Sequence, residues 1–333
     1  MGNAHFDTLP EDRREAALGA LRSVIGPVPI DAAIPLTEGA TTAAVFRIDA
    51  GAHRYLLRVE GAPSPLRNPH QYISMRTAAD AGIAPRLHYF DEAARVAVTD
   101  FIDQQPLRLY PGGPLARAEA LGRLLRELQA TPVFPYFVDY PAIVARLWAH
   151  VCRTGLFAPG VLDPINERLA AIRRVYVWNR ADSVSCHNDP VPNNVLFDGR
   201  RLWLIDWESA YRNDPLIDVS ILSEHLARSP EMEEALLRAC LGRLPDEALR
   251  ERHKLVRALT RLYYAGVFLS FSATISRARS DASFIAPSLA AYEQAFCTGR
   301  LKPRTPAAWH VLGKMFLTSF LTGCPTPSFE PLT

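Results

Sequence analysis

Residues 186–207 read CHNDPVPNNVLFDGRRLWLIDW. A loop crowded with proline, asparagine and aspartate gives way to two short apolar runs around Asp198-Gly199, a pair that favours a tight hairpin turn. The runs predict strands at 194–197 and 201–205, the second ending on the carboxylate of Asp206. A surface turn and a buried hairpin account for this shape, but not for the polar residues it gathers. His187, Asp189 and Asn194 fit H-x-D-x-x-x-x-N, and the returning strand carries Asp206 back beside Asn194. A carboxylate within reach of an alcohol can orient it and take its proton, whereas an amide oxygen and a second carboxylate are hard ligands suited to Mg2+. The loop is long enough to aim Asp189 at a substrate and Asn194 at a metal, with His187 as its brace.

The stretches CHNDPVPNNVLF and LIDWESAYRNDPLIDVS resemble the choline/ethanolamine kinase branch of the aminoglycoside phosphotransferase family, whose fold is related to protein kinases. The resemblance extends over most of the chain and is strongest from 184 to 225. It implies an α+β, protein-kinase-like two-lobed fold with ATP and Mg2+ as cofactors. Asp189, in the catalytic loop with His187, is the implied base or hydroxyl-orienting group. Asn194 and Asp206 are the implied metal ligands, and Asp218 a brace for the loop. On the nucleotide side, Gly39, Thr41 and Thr42 match the tip of a loop over the phosphates, and the backbone around Asp100 to Ile102 matches the hinge that bonds adenine. The family pairs a basic residue on the strand after the glycine loop with a glutamate on the following helix. Here Arg58 holds the first place, since no lysine precedes Lys254, and Gln71 holds the second. No glutamate occurs between 61 and 91.

The pattern around these motifs agrees with two lobes. An amphipathic helix is predicted over 11–24, then strands at 43–49 and 54–60 around Gly51, a helix beginning QYISM and ended by Gly82, and strands at LHYF and RVAVTDFI. This region, 1–102, is the expected N-lobe. The Pro- and Gly-rich stretch at 103–113 is the expected linker, and 114–333 the expected C-lobe. There the period becomes helical: Leu121, Leu124, Leu125 and Leu128 form one stripe, and further helices are predicted at 141–154, 163–177, 231–242, 246–279, 287–297 and 306–321. At 333 residues the chain exceeds the size at which one hydrophobic core usually stops growing.

A net charge of +2 gives no sign of nucleic-acid binding. No apolar run suffices to span a bilayer, and the charged start is unlike a signal peptide, so a cytoplasmic protein without membrane insertion is expected. Five scattered cysteines without a CxxC pair indicate neither disulfides nor zinc, and Cys186 reads as a buried thiol. Oligomeric state is left open.

The expected partner is a small-molecule alcohol. A cationic amino alcohol wants aromatic faces backed by carboxylates; Trp207, Tyr211, Tyr264 and Phe268 offer the former, Glu208 and Asp214 the latter. Tyr264, Phe268 and Phe271 share a helix face and fit ordinary core as well, and Asp214 fits an ion pair with Arg212. Choline or ethanolamine is the favoured acceptor, with an aminoglycoside or thiamine-like alcohol left open. Gln71 also admits a nucleotide-binding pseudokinase serving as an interaction module. Eleven residues between Asp206 and Asp218 are too few for a peptide-docking segment.

Overall fold

A computed structural model describes residues 6, 9–36, 43–61, 68–176, 178–274 and 280–324, and of Asp12 the backbone alone. Gly39, Thr41 and Thr42 lie outside the described residues.

The N-terminal region is an antiparallel five-stranded sheet in the order β1-β2-β3-β5-β4, with β1 at Ala32–Pro35, β2 at Ala44–Ala50, β3 at His53–Val59, β4 at Leu87–Asp91 and β5 at Val96–Asp100. Alternation along β2, β3 and β5 puts Phe46, Ile48, Leu57, Val59, Val96 and Val98 on one buried face. Helix α1, Glu11–Ile25, covers that face with Ala17, Ala20 and Leu21. Arg13 of α1 fastens the contact: Nη1 donates to the Ala94 carbonyl (2.5 Å) and Nη2 to the Glu60 carbonyl (2.7 Å). Helix α2, Gln71–Asp80, leans on the C-terminal region, because the Ala210 carbonyl accepts from both Ser74 Oγ (2.9 Å) and Asn68 Nδ2 (2.6 Å).

The rest is mostly helical: α3 Gly113–Gln129, α4 Tyr140–Arg153, α5 Asp163–Val175, α6 Leu216–His225, α7 Pro230–Leu241, α8 Glu247–Ser272, α9 Leu289–Cys297 and α10 Pro306–Thr322. The leucine stripe of α3 is buried as its period implies. Two strand pairs interrupt the helices, β6 Val184–Cys186 with β9 Tyr211–Asn213 and the hairpin β7 Val195–Phe197 with β8 Leu202–Leu204. Between the regions, the Gln105 N–H donates to the Phe197 carbonyl (2.7 Å), tying residues 103–113 to the hairpin. Among the described residues no helix is long and apolar enough to cross a membrane.

Helix α6 was not anticipated. All ten of its residues are buried, so it has no polar face to generate a helical period. The predicted 246–279 helix ends at Ser272, and 275–279 lie outside the described residues.

Helices α3 and α7 approach closely at Gly122, where an added Cβ would lie 2.4 Å from the Leu236 carbonyl oxygen and 2.7 Å from Ala239 Cβ. Helix propensity alone favours alanine there by about 1 kcal/mol. Overpacking against backbone outweighs it, so Gly122→Ala is expected to lower the unfolding free energy by about 1–3 kcal/mol in urea titrations.

Candidate active site

Strand β6 delivers the chain to His187, and the next turn is held from below by one carboxylate. Asp218 of α6 accepts the His187 N–H through Oδ2 (2.8 Å) and the Asn188 N–H through Oδ1 (2.7 Å). Burial pushes Asp218 up to about 7, while the two amides pull it down. Asn188 adopts a left-handed φ of 62°, which asparagine tolerates better than most residues. Its Nδ2 donates to the carbonyls of Ser209 (2.9 Å) and Tyr211 (3.1 Å), and its Oδ1 accepts from Asn213 Nδ2 (3.0 Å). Asn188 and Asn213 were not among the candidate residues, although both stand in the quoted motifs.

His187 is fully buried against Trp207, their rings 4.7 Å apart, and Nε2 pairs with the Ile205 carbonyl at 2.8 Å. Burial pushes its pKa down to about 4, so the ring is neutral and Nε2–H is the donor. Placing His187 with the catalytic group is corrected accordingly: it positions the loop and is sealed from any substrate.

Past this turn Asp189 is half-buried. Asn194 Nδ2 donates to its carbonyl (2.9 Å) and to its Oδ2 (3.2 Å), and the Tyr264 hydroxyl donates to its Oδ1 (2.7 Å). Burial pushes Asp189 up to about 7; the tyrosine opposes this, and Asp206, Glu208 and Asp218 add to it. The hairpin then closes, the Ile205 N–H donating to the Asn194 carbonyl at 3.0 Å. Asp206 follows in a left-handed turn (φ 65°). Asn194 and Asp206, a dozen residues apart in sequence, thereby come to neighbouring positions at the open end of the hairpin, a space both can border.

Arg58 reaches that space from β3. Its Nη1 lies 2.8 Å from Asp206 Oδ1, its Nη2 3.1 Å from Glu208 Oε2 and its Nε 3.5 Å from Glu60 Oε1. Burial works to lower the Arg58 pKa, and these carboxylates together raise it. Gln71 does not bond Arg58; its Nε2 donates to Glu60 Oε2 at 2.7 Å. At the hinge, the N–H groups of Asp100 and Phe101 are committed to the carbonyls of Arg86 (2.9 Å) and Arg54 (3.1 Å), whereas among the described residues Ile102 N–H makes no hydrogen bond.

The candidate substrate residues separate. Glu208 faces Arg58, Trp207 is core beneath His187, and Phe268 packs on Phe316 with ring centroids 5.7 Å apart. Asp214 is fully buried and pairs with Arg252 of α8 (2.5 Å) and the Tyr176 hydroxyl (2.5 Å), not with Arg212. That burial removes it from any substrate surface. Tyr211 does reach the catalytic loop, where with Tyr140, Ile143, Asn188, Ser209 and Tyr263 it lines a cavity of about 20 Å³. Tyr140 and Tyr263 were not candidates. Tyr263 adjoins Tyr264 in sequence, and only the turn of α8 brings it to the cavity.

A profile described as the phosphotransferase enzyme family matches residues 32–255, well over half of the chain. The chain belongs to this phosphotransferase enzyme family. Two solved structures share its fold over nearly the whole length. A choline/ethanolamine kinase family protein from Mesorhizobium loti superposes with a TM-score of 0.60 at 23% identity, covering 93% of this chain and 99% of that one. Choline kinase LicA from Streptococcus pneumoniae gives a TM-score of 0.64 at 15% identity with the same coverage. The LicA protein of Haemophilus influenzae strain KW20 is 46% identical over 52 residues, 16% of this chain and 20% of that protein, so the match spans about a fifth of that relative's length. The family and these neighbours agree with the branch that the quoted motifs resemble.

Within this family member two predictions follow from the loop's supports. Asp218→Asn turns an amide donor toward one of the two backbone donors; it is expected to destabilise the fold by about 1–3 kcal/mol and to lower activity further than that loss explains, read by unfolding and kinetics on the same preparation. His225 packs edge-on to Tyr264, and burial, aided by Arg228, pushes it down to about 3. An unfolded histidine titrates near 6.5, about where the unfolded chain begins to bind the extra proton, so stability is lost as pH falls below that value. Thermal midpoints should fall between pH 7.5 and 5, and less steeply in His225→Gln; His187 and His253 carry the same sign.

Proposed function

We propose that the chain is an ATP- and Mg2+-dependent kinase that phosphorylates the hydroxyl of a small amino alcohol, choline or ethanolamine first among them. The observation that carries this reading is the convergence of Asp189, held by Tyr264 and Asn194, with Asp206 and Arg58; the neighbouring tyrosines Tyr140, Tyr211 and Tyr263 favour an amino alcohol as acceptor. Burial, and then the negative field of Asp189 and Glu208, push the Tyr263 phenol up. A cation held over such rings is stabilised by both the ring faces and the carboxylates.

The residues then act mainly by position. Asp189 accepts the hydroxyl proton as the oxygen bonds to the γ-phosphorus and the bond to the departing ADP oxygen breaks. Tyr264 and Asn194 fix both carboxylate oxygens of Asp189 during that approach. Arg58 faces the phosphates, and Ile102 N–H is offered to the base. The donor set fits Mg2+ through its oxygens: Asn194 keeps its amide oxygen while Nδ2 is engaged, and Asp206 meets Arg58 through Oδ1, with Oδ2 as its second oxygen. Asn194 and Asp206 would hold the ion as two oxygen ligands, few enough to suit Mg2+, which takes few protein ligands and prefers oxygen. When bound, Mg2+ supplies neutralisation of phosphate charge. A single short turn, Trp207–Ser209, and β9 fill the interval from Asp206 to α6, which supports a small acceptor over a peptide.

Phosphate transfer from ATP should be measured with choline, ethanolamine, thiamine and an aminoglycoside, with thermal shifts for each ligand. Amino alcohols are expected to be turned over best, and Asp189→Asn to lower kcat by roughly 10²–10⁴-fold. Nucleotide binding without transfer to any alcohol would instead identify the pseudokinase.

A further inference from the structure

The sheet's Arg58 needs an anion in its own lobe, and α2 offers Gln71 at the expected place. We propose that Glu60 takes over that role: a pair on one strand, locked by Gln71, positions the guanidinium that meets the nucleotide phosphates. This rests on the kinase reading only for the identity of that anionic ligand.

Residues two apart on a strand share a face, so Arg58 and Glu60 point the same way. The strand geometry persists past Val59, since the Glu60 N–H donates to the Arg95 carbonyl (3.0 Å) and the Glu60 carbonyl accepts from Arg13 (2.7 Å). The Glu60 side chain is only 4% exposed, so its charge must be answered by protein. One oxygen accepts Gln71 Nε2 at 2.7 Å and the other lies 3.5 Å from Arg58 Nε. The Nε edge of Arg58 thus belongs to the sheet, while Nη1 and Nη2, the fork suited to phosphate oxygens, face the C-terminal hairpin.

Gln71 is then a requirement and not a defect. A glutamate at 71 would set two buried carboxylates at hydrogen-bond distance, and one would have to hold a proton. Relative to the strand-to-helix pair of the family pattern, charge and donor have exchanged places. Arg58 touches the phosphates; Glu60 and Gln71 are positioning residues.

The test is a reciprocal swap. Affinity for ATP-Mg2+ by titration calorimetry, with KM and kcat where turnover is present, is compared among wild type, Glu60→Gln, Gln71→Glu and the double variant. Each single change is expected to weaken nucleotide binding on the order of tenfold, with kcat at saturating ATP falling less. The double variant should recover most of the loss. The inference is overturned if the double variant binds no better than the weaker single one, or if Glu60→Gln binds like wild type. Should Gln71→Glu fail to fold, Glu60→Gln against the double variant decides it. A wild type that binds nucleotide but transfers no phosphate sinks the kinase reading alone, with the swap still decided by affinity; a wild type that binds no nucleotide sinks both.

Discussion

Two backbone N–H groups converging on Asp218 are the constraint from which the site is built. The catalytic loop must turn sharply between β6 and Asp189, and its left-handed residue, Asn188, exposes donors that a buried turn cannot leave unpaired. A carboxylate in the protein interior meets both at once. That need accounts for α6, a helix with no solvent face whose position brings Asp218 under the loop. The polar side chains then reinforce the same turn from its other sides, with Asn188 reaching Ser209 and Tyr211, and Asn213 reaching Asn188. Asp189 inherits its direction from this frame, and Asn194 and Asp206 inherit theirs from the hairpin that leaves it.

The two regions of the fold meet through side chains that answer one another's charge or donors. Arg58 crosses to Asp206 and Glu208, and α2 crosses to the Ala210 carbonyl through Asn68 and Ser74. Both contacts land within five residues of Asp206. The segment that carries Asp206 is therefore also the element against which the sheet is registered, so displacement of one lobe is felt at Asp206 itself.

Much of this was legible in the sequence because it is local. The Asp198-Gly199 hairpin, the α3 leucine stripe and the spacing of Asp189, Asn194 and Asp206 are set by neighbouring residues and their periods. What stayed hidden depends on distance or on missing contrast. Helix α6 lacks a polar face and so lacks a period. An ion pair of Asp214 with Arg212 was one of two open readings because the two stand two residues apart, whereas its partner, Arg252, arrives from α8. Tyr140 joins the cavity by the same kind of long-range approach, from α4. Glu60 stayed hidden for a different reason: the family pattern places the acid on a helix, and here it stands at the end of the strand before that helix.

Arg13 carries one more implication. The family match begins at residue 32, yet α1 lies before it and its guanidinium grips the carbonyls of Glu60 and Ala94 while its apolar face closes the back of the sheet. The structural unit behind the sheet therefore begins before the segment that defines the family: a chain starting at residue 32 would keep the loop and hairpin around Asp189 and lose both the apolar cover of the sheet and the Arg13 contact to the Glu60 carbonyl.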